Sequence, residues 1–228
     1  MDEAVIFLVP IGSDRFDLYT EAADEPVGAA GEPVGFWRRK AHRLQERWRE
    51  IVQAAHAARG DQPRGGFARA RDWMVRHVAE SIAEQRTLWA LRAVTAAVFV
   101  HPADLADAAA AAIRTDLLAR ARRDHGVWLL VNLAGAAATA VLVLLPGPNI
   151  IGYYFLFRVV GHFLSWRGAR RGLEHITWRA RPEPALAELA ALSELPRDAR
   201  HARVTEIGER LQLPHFADFF DRVAVGGR

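Results

Sequence analysis

Residues 127–157 read VWLLVNLAGAAATAVLVLLPGPNIIGYYFLF, a run of 31 residues without a charged side chain. A Pro-Gly-Pro-Asn turn sequence interrupts the run near its middle; its members are Pro146, Gly147, Pro148 and Asn149. Arginines flank the run and its extension to residue 166: Arg120, Arg122, Arg123, Arg167, Arg170 and Arg171. Two apolar arms joined by a tight turn, with positive charge at both open ends, predict a helical hairpin in a lipid bilayer.

The two arms differ in how well they suit a membrane. The first, residues 127–145, has 19 residues and would form about 28 Å of helix, close to the thickness of a hydrocarbon core. The second, residues 150–166, contains Arg158 and His162, which are costly in lipid. It should therefore insert only as the partner of the first. Arginines at both open ends predict that both termini are cytoplasmic.

Small and polar residues mark one face of each arm, and such faces hold helices together in lipid. On the first arm they are Asn132, Gly135 and Thr139; on the second they are Tyr154, Arg158, His162 and Ser165, with Gly161 beside them. We expect Asn132 to lie within one turn of His162 and Ser165. Arg158 suits a counter-charge on an ion path, a ligand for lipid phosphate or a clamp on backbone carbonyls. His162 suits either a structural role or a proton relay.

The rest of the chain contains mostly helical patterns. Residues 4–11 and 15–20 predict a small β-hairpin, and residues 36–58 and 67–100 predict two helices that pack as an antiparallel pair through a heptad seam. Residues 105–123 predict a connecting helix, and residues 185–194, 204–213 and 216–225 predict short tail helices. The predicted fold is mainly α: a helical membrane protein with one two-helix membrane hairpin, a cytoplasmic antiparallel helix pair and a small N-terminal β-hairpin.

Four segments follow from this organisation. Residues 1–34 are the β-hairpin and an acidic linker, with eight acidic residues and one basic residue. Residues 35–126 are the soluble helical hairpin and the connecting helix, and residues 127–166 are the membrane hairpin. Residues 167–228 are a basic juxtamembrane segment and a helical tail.

Composition and motifs exclude several functions. The chain has no cysteine, which excludes disulfides and thiol catalysis. Its nine histidines show no metal-ligand spacing, and no nucleotide-binding or nucleophile motif is present. We therefore expect a protein that is not an enzyme, with no catalytic residue, metal or cofactor. The basic centre favours a bilayer with anionic headgroups as partner, and the long uncharged run disfavours nucleic acid.

The turn sequence at 146–149, followed by Tyr153, Tyr154 and Arg158, resembles the mitochondrial K+-H+ exchange-related protein family. Residues 5–10 and 204–222 also resemble the ends of that family. The resemblance implies an inner-membrane protein linked to potassium–proton exchange, and it transfers the motif positions without any catalytic residue. The arginine-rich composition suits a bacterial relative in the inner membrane, whereas a eukaryotic chain would lie in the mitochondrial inner membrane.

Three functions remain open. The first is a membrane-integrated component or regulator of monovalent cation (K+)/proton exchange and ion homeostasis. Because two helices cannot enclose an ion path, this function requires a homo-oligomer or a separate membrane partner. The second is a membrane-anchored scaffold that recruits a partner through its helical hairpin, and the third is a soluble basic helical protein that binds nucleic acid.

Overall fold

A four-stranded β-sheet lies at the centre of the part of the chain that the structure, a computed structural model, describes: residues 3–21, 87–140 and 150–224. The strands are β1 (Glu3–Gly12), β2 (Arg15–Tyr19), β3 (Ala96–Pro102) and β4 (Thr177–Glu183), in the order β2-β1-β3-β4. The strand β1 is antiparallel to β2 and parallel to β3, which is parallel to β4. The described fold is therefore mixed α/β, and the prediction of a mainly α membrane protein is wrong.

The N-terminal hairpin is confirmed. Alternating and β-branched residues form β1 and β2, and the turn residues Ser13 and Asp14 connect them. Pairing runs from Phe7 with Tyr19 to Gly12 with Arg15, with an irregularity between Pro10 and Gly12. This part was predictable because both strands and their turn lie close together in the sequence.

The strands β3 and β4 were not predicted. Residues 96–100 were assigned to the end of a long helix, because a short continuous apolar run fits a buried helix end as well as a buried parallel strand. In the structure they lie between β1 and β4, where both edges of the strand are paired. The strand β4 lies at the edge of the sheet and exposes Arg179 and Arg181, as charged edge strands commonly do.

A long helical hairpin connects β3 to β4. Its helices are α1 (Asp107–Ala140) and α2 (Ile150–Glu174). The buried His101 side chain contacts the Asp107 carboxylate (Nε2 to Oδ1, 3.1 Å) and so links the start of α1 to β3. Leu118 of α1 and Ala169 of α2 then pack against Ile6 and Ala97 of the sheet.

The predicted membrane hairpin is the far half of these two helices. Among the residues that the structure describes, no helix is both long enough and apolar enough to cross a membrane. The helix α1 begins 20 residues before the apolar run. The helix α2 carries Arg158, His162 and Arg167. The turn at 146–149 lies outside the described residues.

Three short helices cover the opposite face of the sheet. They are α3 (Pro184–Ser193), α4 (Arg197–Arg210) and α5 (Phe216–Val223), which agree with the predicted tail helices except that α4 begins earlier. Phe7 and Val9 of β1 pack against Leu186, Leu189 and Phe216 from these helices. The sheet is therefore a middle layer between the hairpin on one side and the tail helices on the other.

Of the predicted pair of helices, residues 36–58 and 67–86 lie outside the described residues. The described end of the second helix, residues 87–100, is helical only at residues 87–90, and the prediction is wrong for residues 96–100, which belong to β3. All described residues belong to one compact unit, and the chain's other unit, residues 23–81, lies outside them. The four predicted segments stay a prediction.

Candidate functional site

Two histidines face each other between α1 and α2. The Nδ1 atoms of His125 and His162 are 2.9 Å apart, and the ring centroids are 5.2 Å apart. Trp128 stacks on His162 with an interplanar angle of 18°. The His162 side chain is buried, with 5% of its surface exposed. The two imidazoles therefore form a direct pair inside the hairpin, one turn of helix away from Arg158.

The chemistry of this contact fixes how many protons the pair can hold. A bond between two Nδ1 atoms needs a hydrogen on one and a lone pair on the other, so neutral His125 and His162 must be opposite tautomers. One added proton leaves the bridging hydrogen in place, because the acceptor ring can still be neutral. A second proton would put two donors against each other and break the pair. The His125–His162 pair is thus built to take up one proton.

Its surroundings resist that uptake near neutral pH. Burial, followed by the positive charges of Arg158 and His125, lowers the pKa of His162 from 6.5 to about 4. Burial also lowers the pKa of His125, where Asp124 acts in the opposite direction and Arg158 adds to the lowering. Both rings are consequently neutral at pH 7, and acid is required to charge the pair.

Two buried nitrogens of this cluster have no hydrogen-bond partner among the described residues: Nε of Arg158 and Nε2 of His162. Leaving a buried polar group unpaired costs about 1–3 kcal/mol, so such groups are uncommon in a stable helix pair. Arg158 and His162 lie one turn apart on α2, so both unpaired nitrogens are close to the histidine pair. Clusters of this kind are candidates for a functional site.

The other sequence-predicted packing residues occupy separate positions along the hairpin. Asn132 is buried and donates from Nδ2 to the Trp128 carbonyl at 2.6 Å. Thr139 donates from Oγ1 to the Gly135 carbonyl at 2.9 Å. A Cβ atom on Gly135 would lie 2.5 Å from the Phe155 ring, so this glycine permits the close approach of the helices.

On α2, the predicted residues point to different neighbours. The Ser165 hydroxyl accepts a hydrogen bond from Nε1 of Trp89 at 2.9 Å, which connects α2 to the helical stretch at 87–90. Tyr154 and Gly161 are partly buried. Tyr153 lies in α2, but its side chain is not among the described ones, and Pro146, Gly147, Pro148 and Asn149 lie outside the described residues.

The comparison with protein families agrees with the resemblance found in the sequence. Residues 6–177 match the model of the family described as mitochondrial K+-H+ exchange-related, which is well over half of the chain. The chain belongs to the mitochondrial K+-H+ exchange-related family. The match extends from β1 to the start of β4 and includes both histidines, whereas residues 204–222 lie beyond it. No curated protein and no solved structure matches the chain.

In this member of the exchange-related family, sequence reasoning found half of the site. Arg158 and His162 were selected, whereas His125 and Trp128 were missed. Their spacing was visible, because His125, Trp128 and Asn132 fall at i, i+3 and i+7 on one helical face. They were overlooked because the preceding helix was ended at residue 123. Since α1 is continuous, His125 contacts His162 where Asn132 had been expected.

Within residues 3–21, 87–140 and 150–224, no group of three or more potential ligands is placed to hold a metal ion. The two imidazoles instead bind each other, and Arg158 beside them disfavours a cation.

The lowered pKa of His162 makes a prediction about stability. The unfolded histidine takes up a proton near pH 6.5, whereas the folded one does so near pH 4, so the free energy of unfolding should fall as the pH drops through this window. The loss should stay below about 3 kcal/mol, because solvent screening reduces the effect of such a shift. Urea denaturation across this range should show a smaller pH dependence for His162→Gln than for the wild type. The exposed His175→Gln variant is the control, and equal slopes for all three proteins would contradict the prediction.

Proposed function

We propose that this chain is a component or regulator of monovalent cation (K+)/proton exchange, and that the His125–His162 pair is its proton-binding element. Membership of the K+-H+ exchange-related family supports the class of process. The observation that carries the proton-binding role is the 2.9 Å contact between two imidazoles inside a helical hairpin.

The geometry suits a regulator better than a path for ions. When the pair takes up a proton, an imidazolium forms next to the Arg158 guanidinium, and two like charges then lie one turn apart on α2. Their repulsion in a poorly solvated position weakens the packing of α2 against α1. Acid would thereby loosen the packing of α1 against α2. The packing of the hairpin would then depend on the proton concentration and regulate the protein that catalyses the exchange.

The test is K+-driven proton flux, followed with a pH-sensitive dye, in membrane vesicles from cells that express the chain or lack it. Arg158 lowers the pKa of His162, so Arg158→Ala should raise that pKa. We expect the pH of half-maximal response to rise at an unchanged protein level. The exposed Arg167→Ala variant on the same helix should leave the profile where it is. An unchanged profile in Arg158→Ala would overturn the proposal.

The remaining expectations stay predictions. The scaffold function depends on the seam at residues 36–58, which lies outside the described residues. Location at a bacterial inner membrane or at a mitochondrial inner membrane, contact with anionic lipid and the absence of enzyme activity likewise stay predictions. The family description refers to mitochondria and to K+-H+ exchange, and the spanning topology with both termini cytoplasmic is not retained.

A further inference from the structure

Two arginines meet where the segment before β3, residues 87–94, packs against α2. The backbones touch there, because a Cβ atom on Gly168 would lie 1.8 Å from a carbonyl oxygen of that segment and 3.4 Å from Cγ of Arg92. The Arg92 side chain therefore passes α2 at Gly168. From the next turn of α2, Arg171 donates from Nη2 to the Val94 carbonyl at 3.2 Å. We call this contact, with its two guanidiniums from two elements, the arginine junction.

The Arg92 guanidinium is held in place by its neighbours. Its Nε donates to the Trp89 carbonyl at 3.1 Å, and its carbon atom lies 5.7 Å from the centre of the Trp89 ring, a contact that favours a cation. The ring is fixed in turn, because its Nε1 donates to the Ser165 hydroxyl of α2 at 2.9 Å. Within the described part of the chain, neither Nη group of Arg92 has a partner, so their hydrogens are available to a ligand.

The positive charge of the arginine junction is not balanced by acidic side chains. Among residues 3–21, 87–140 and 150–224, no carboxylate lies within ion-pair distance of Arg92 or Arg171. The neighbouring Arg170, in contrast, binds the Glu174 carboxylate at 2.9 Å. The Nε atom of Arg171 is also buried, and no described residue is its hydrogen-bond partner. Buried donors are normally satisfied, so this nitrogen indicates a group that the chain itself does not supply.

The position of Arg92 adds to the cost of leaving its charge unbalanced. Burial, followed by the positive charge of Arg167, lowers the pKa of Arg92. Both effects destabilise the charged form, yet an arginine side chain stays charged at neutral pH. An anion at the arginine junction would offset this cost by attraction to the guanidiniums.

We propose that the arginine junction binds a phosphate group through the guanidiniums of Arg92 and Arg171. The planar guanidinium matches phosphate oxygens with two parallel hydrogen bonds. A divalent phosphate group balances both cations, whereas a carboxylate balances only one. The phosphate group belongs either to a soluble ion or to a phospholipid headgroup. This binding does not depend on the proton-binding role proposed above.

Isothermal titration calorimetry of the full chain with inorganic phosphate, at neutral pH and constant ionic strength, tests the site. Arg92→Gln should weaken binding about tenfold or more, because it removes charge-assisted hydrogen bonds. Arg92→Lys keeps the charge but loses the planar fork, and it should also bind more weakly than the wild type. The matched control is Arg170→Gln, which removes a charge from the same end of α2 that Glu174 already pairs. It should bind like the wild type, and circular dichroism checks that each variant is folded.

Cosedimentation with phosphatidylcholine vesicles that contain phosphatidic acid distinguishes the two sources of the phosphate group. Binding of inorganic phosphate that Arg92→Gln weakens would assign the junction to a soluble ion. Vesicle binding that Arg92→Gln weakens, without binding of inorganic phosphate, would assign it to a headgroup. The proposal is overturned if neither probe binds, if Arg92→Lys binds like the wild type, or if Arg170→Gln weakens binding as much as Arg92→Gln.

Discussion

Gly168→Ala is expected to lower the free energy of unfolding by about 3 kcal/mol or more, although alanine is the better helix former by about 1 kcal/mol. Gly168 lies on α2 where the helix touches the backbone of the stretch at 87–90. A Cβ atom there would lie 1.8 Å from the Leu88 carbonyl oxygen and 2.7 Å from its carbon. Backbone cannot rotate out of the way as a side chain can, so α2 must move off the sheet layer.

Thermal or urea unfolding with Gly126→Ala as the matched control separates this clash from the general effect of replacing a helical glycine. A Cβ atom at Gly126 would lie 3.4 Å from Cδ1 of Trp166, which is ordinary contact. The control should be neutral or more stable by up to about 1 kcal/mol. If Gly168→Ala behaved like Gly126→Ala, the close approach of α2 to Leu88 would be refuted.

Asp221→Ala is expected to cost about 3–5 kcal/mol, because it leaves a buried cation without its counter-charge. The Asp221 carboxylate is 4% exposed, and Arg200 is fully buried at 3.4 Å from it. Arg197 and His201 contact the other carboxylate oxygen at 2.9 Å and 2.7 Å. The Arg200 guanidinium also lies over the Phe220 ring, so the loss should disrupt the packing of α4 against α5.

The pH dependence of that cost provides a second readout. Burial is the largest influence on the pKa of Asp221 and raises it, but hydrogen bonds from His201, Arg197 and Arg200 together hold it below its ordinary value. The stabilisation is therefore present above about pH 4, the unfolded pKa, and is lost as the pH falls through the lower folded pKa. The wild type and Asp221→Ala should converge in acid. Glu206→Ala, which removes an exposed partner of Arg203, is the control and should cost less than about 1 kcal/mol.

How much of the fold could be predicted depends on how local its determinants are. The β1–β2 hairpin and the tail helices followed from turn residues and prolines in their own sequence. The strand β3 could not be predicted in this way, because its apolar residues fit a helix as well as a strand. They form a strand by pairing with β1, whose first paired residue, Glu3, is far away in the chain. The charged sequence of β4 resembled a basic segment beside a membrane, and only its edge position in the sheet explains it.

The candidate site shows the same division. Arg158 and His162 were recognisable as polar residues on one face of an apolar helix. Their partner His125 follows several charged residues and is next to Asp124. In such a sequence a histidine resembles an ordinary surface residue and is not recognisable as part of a site. The apolar run was interpreted as a membrane hairpin because its hydropathy shows only that these residues are apolar. Hydropathy does not show that the helix containing them begins in the charged sequence before them. The continuity of α1 from the sheet to residue 140 was not predictable from composition.

The parallel pairing of β1, β3 and β4 has a consequence for how the chain is made. Glu3 pairs with Ala96, and Ala96 pairs with Thr177, so each pairing waits for more than 80 further residues to be synthesised. During that interval β1 and then β3 present an unpaired edge, which other chains can join. Pairings this distant also slow folding. Production of the chain in cells should therefore depend on chaperones that hold nascent strands apart until β4 has left the ribosome.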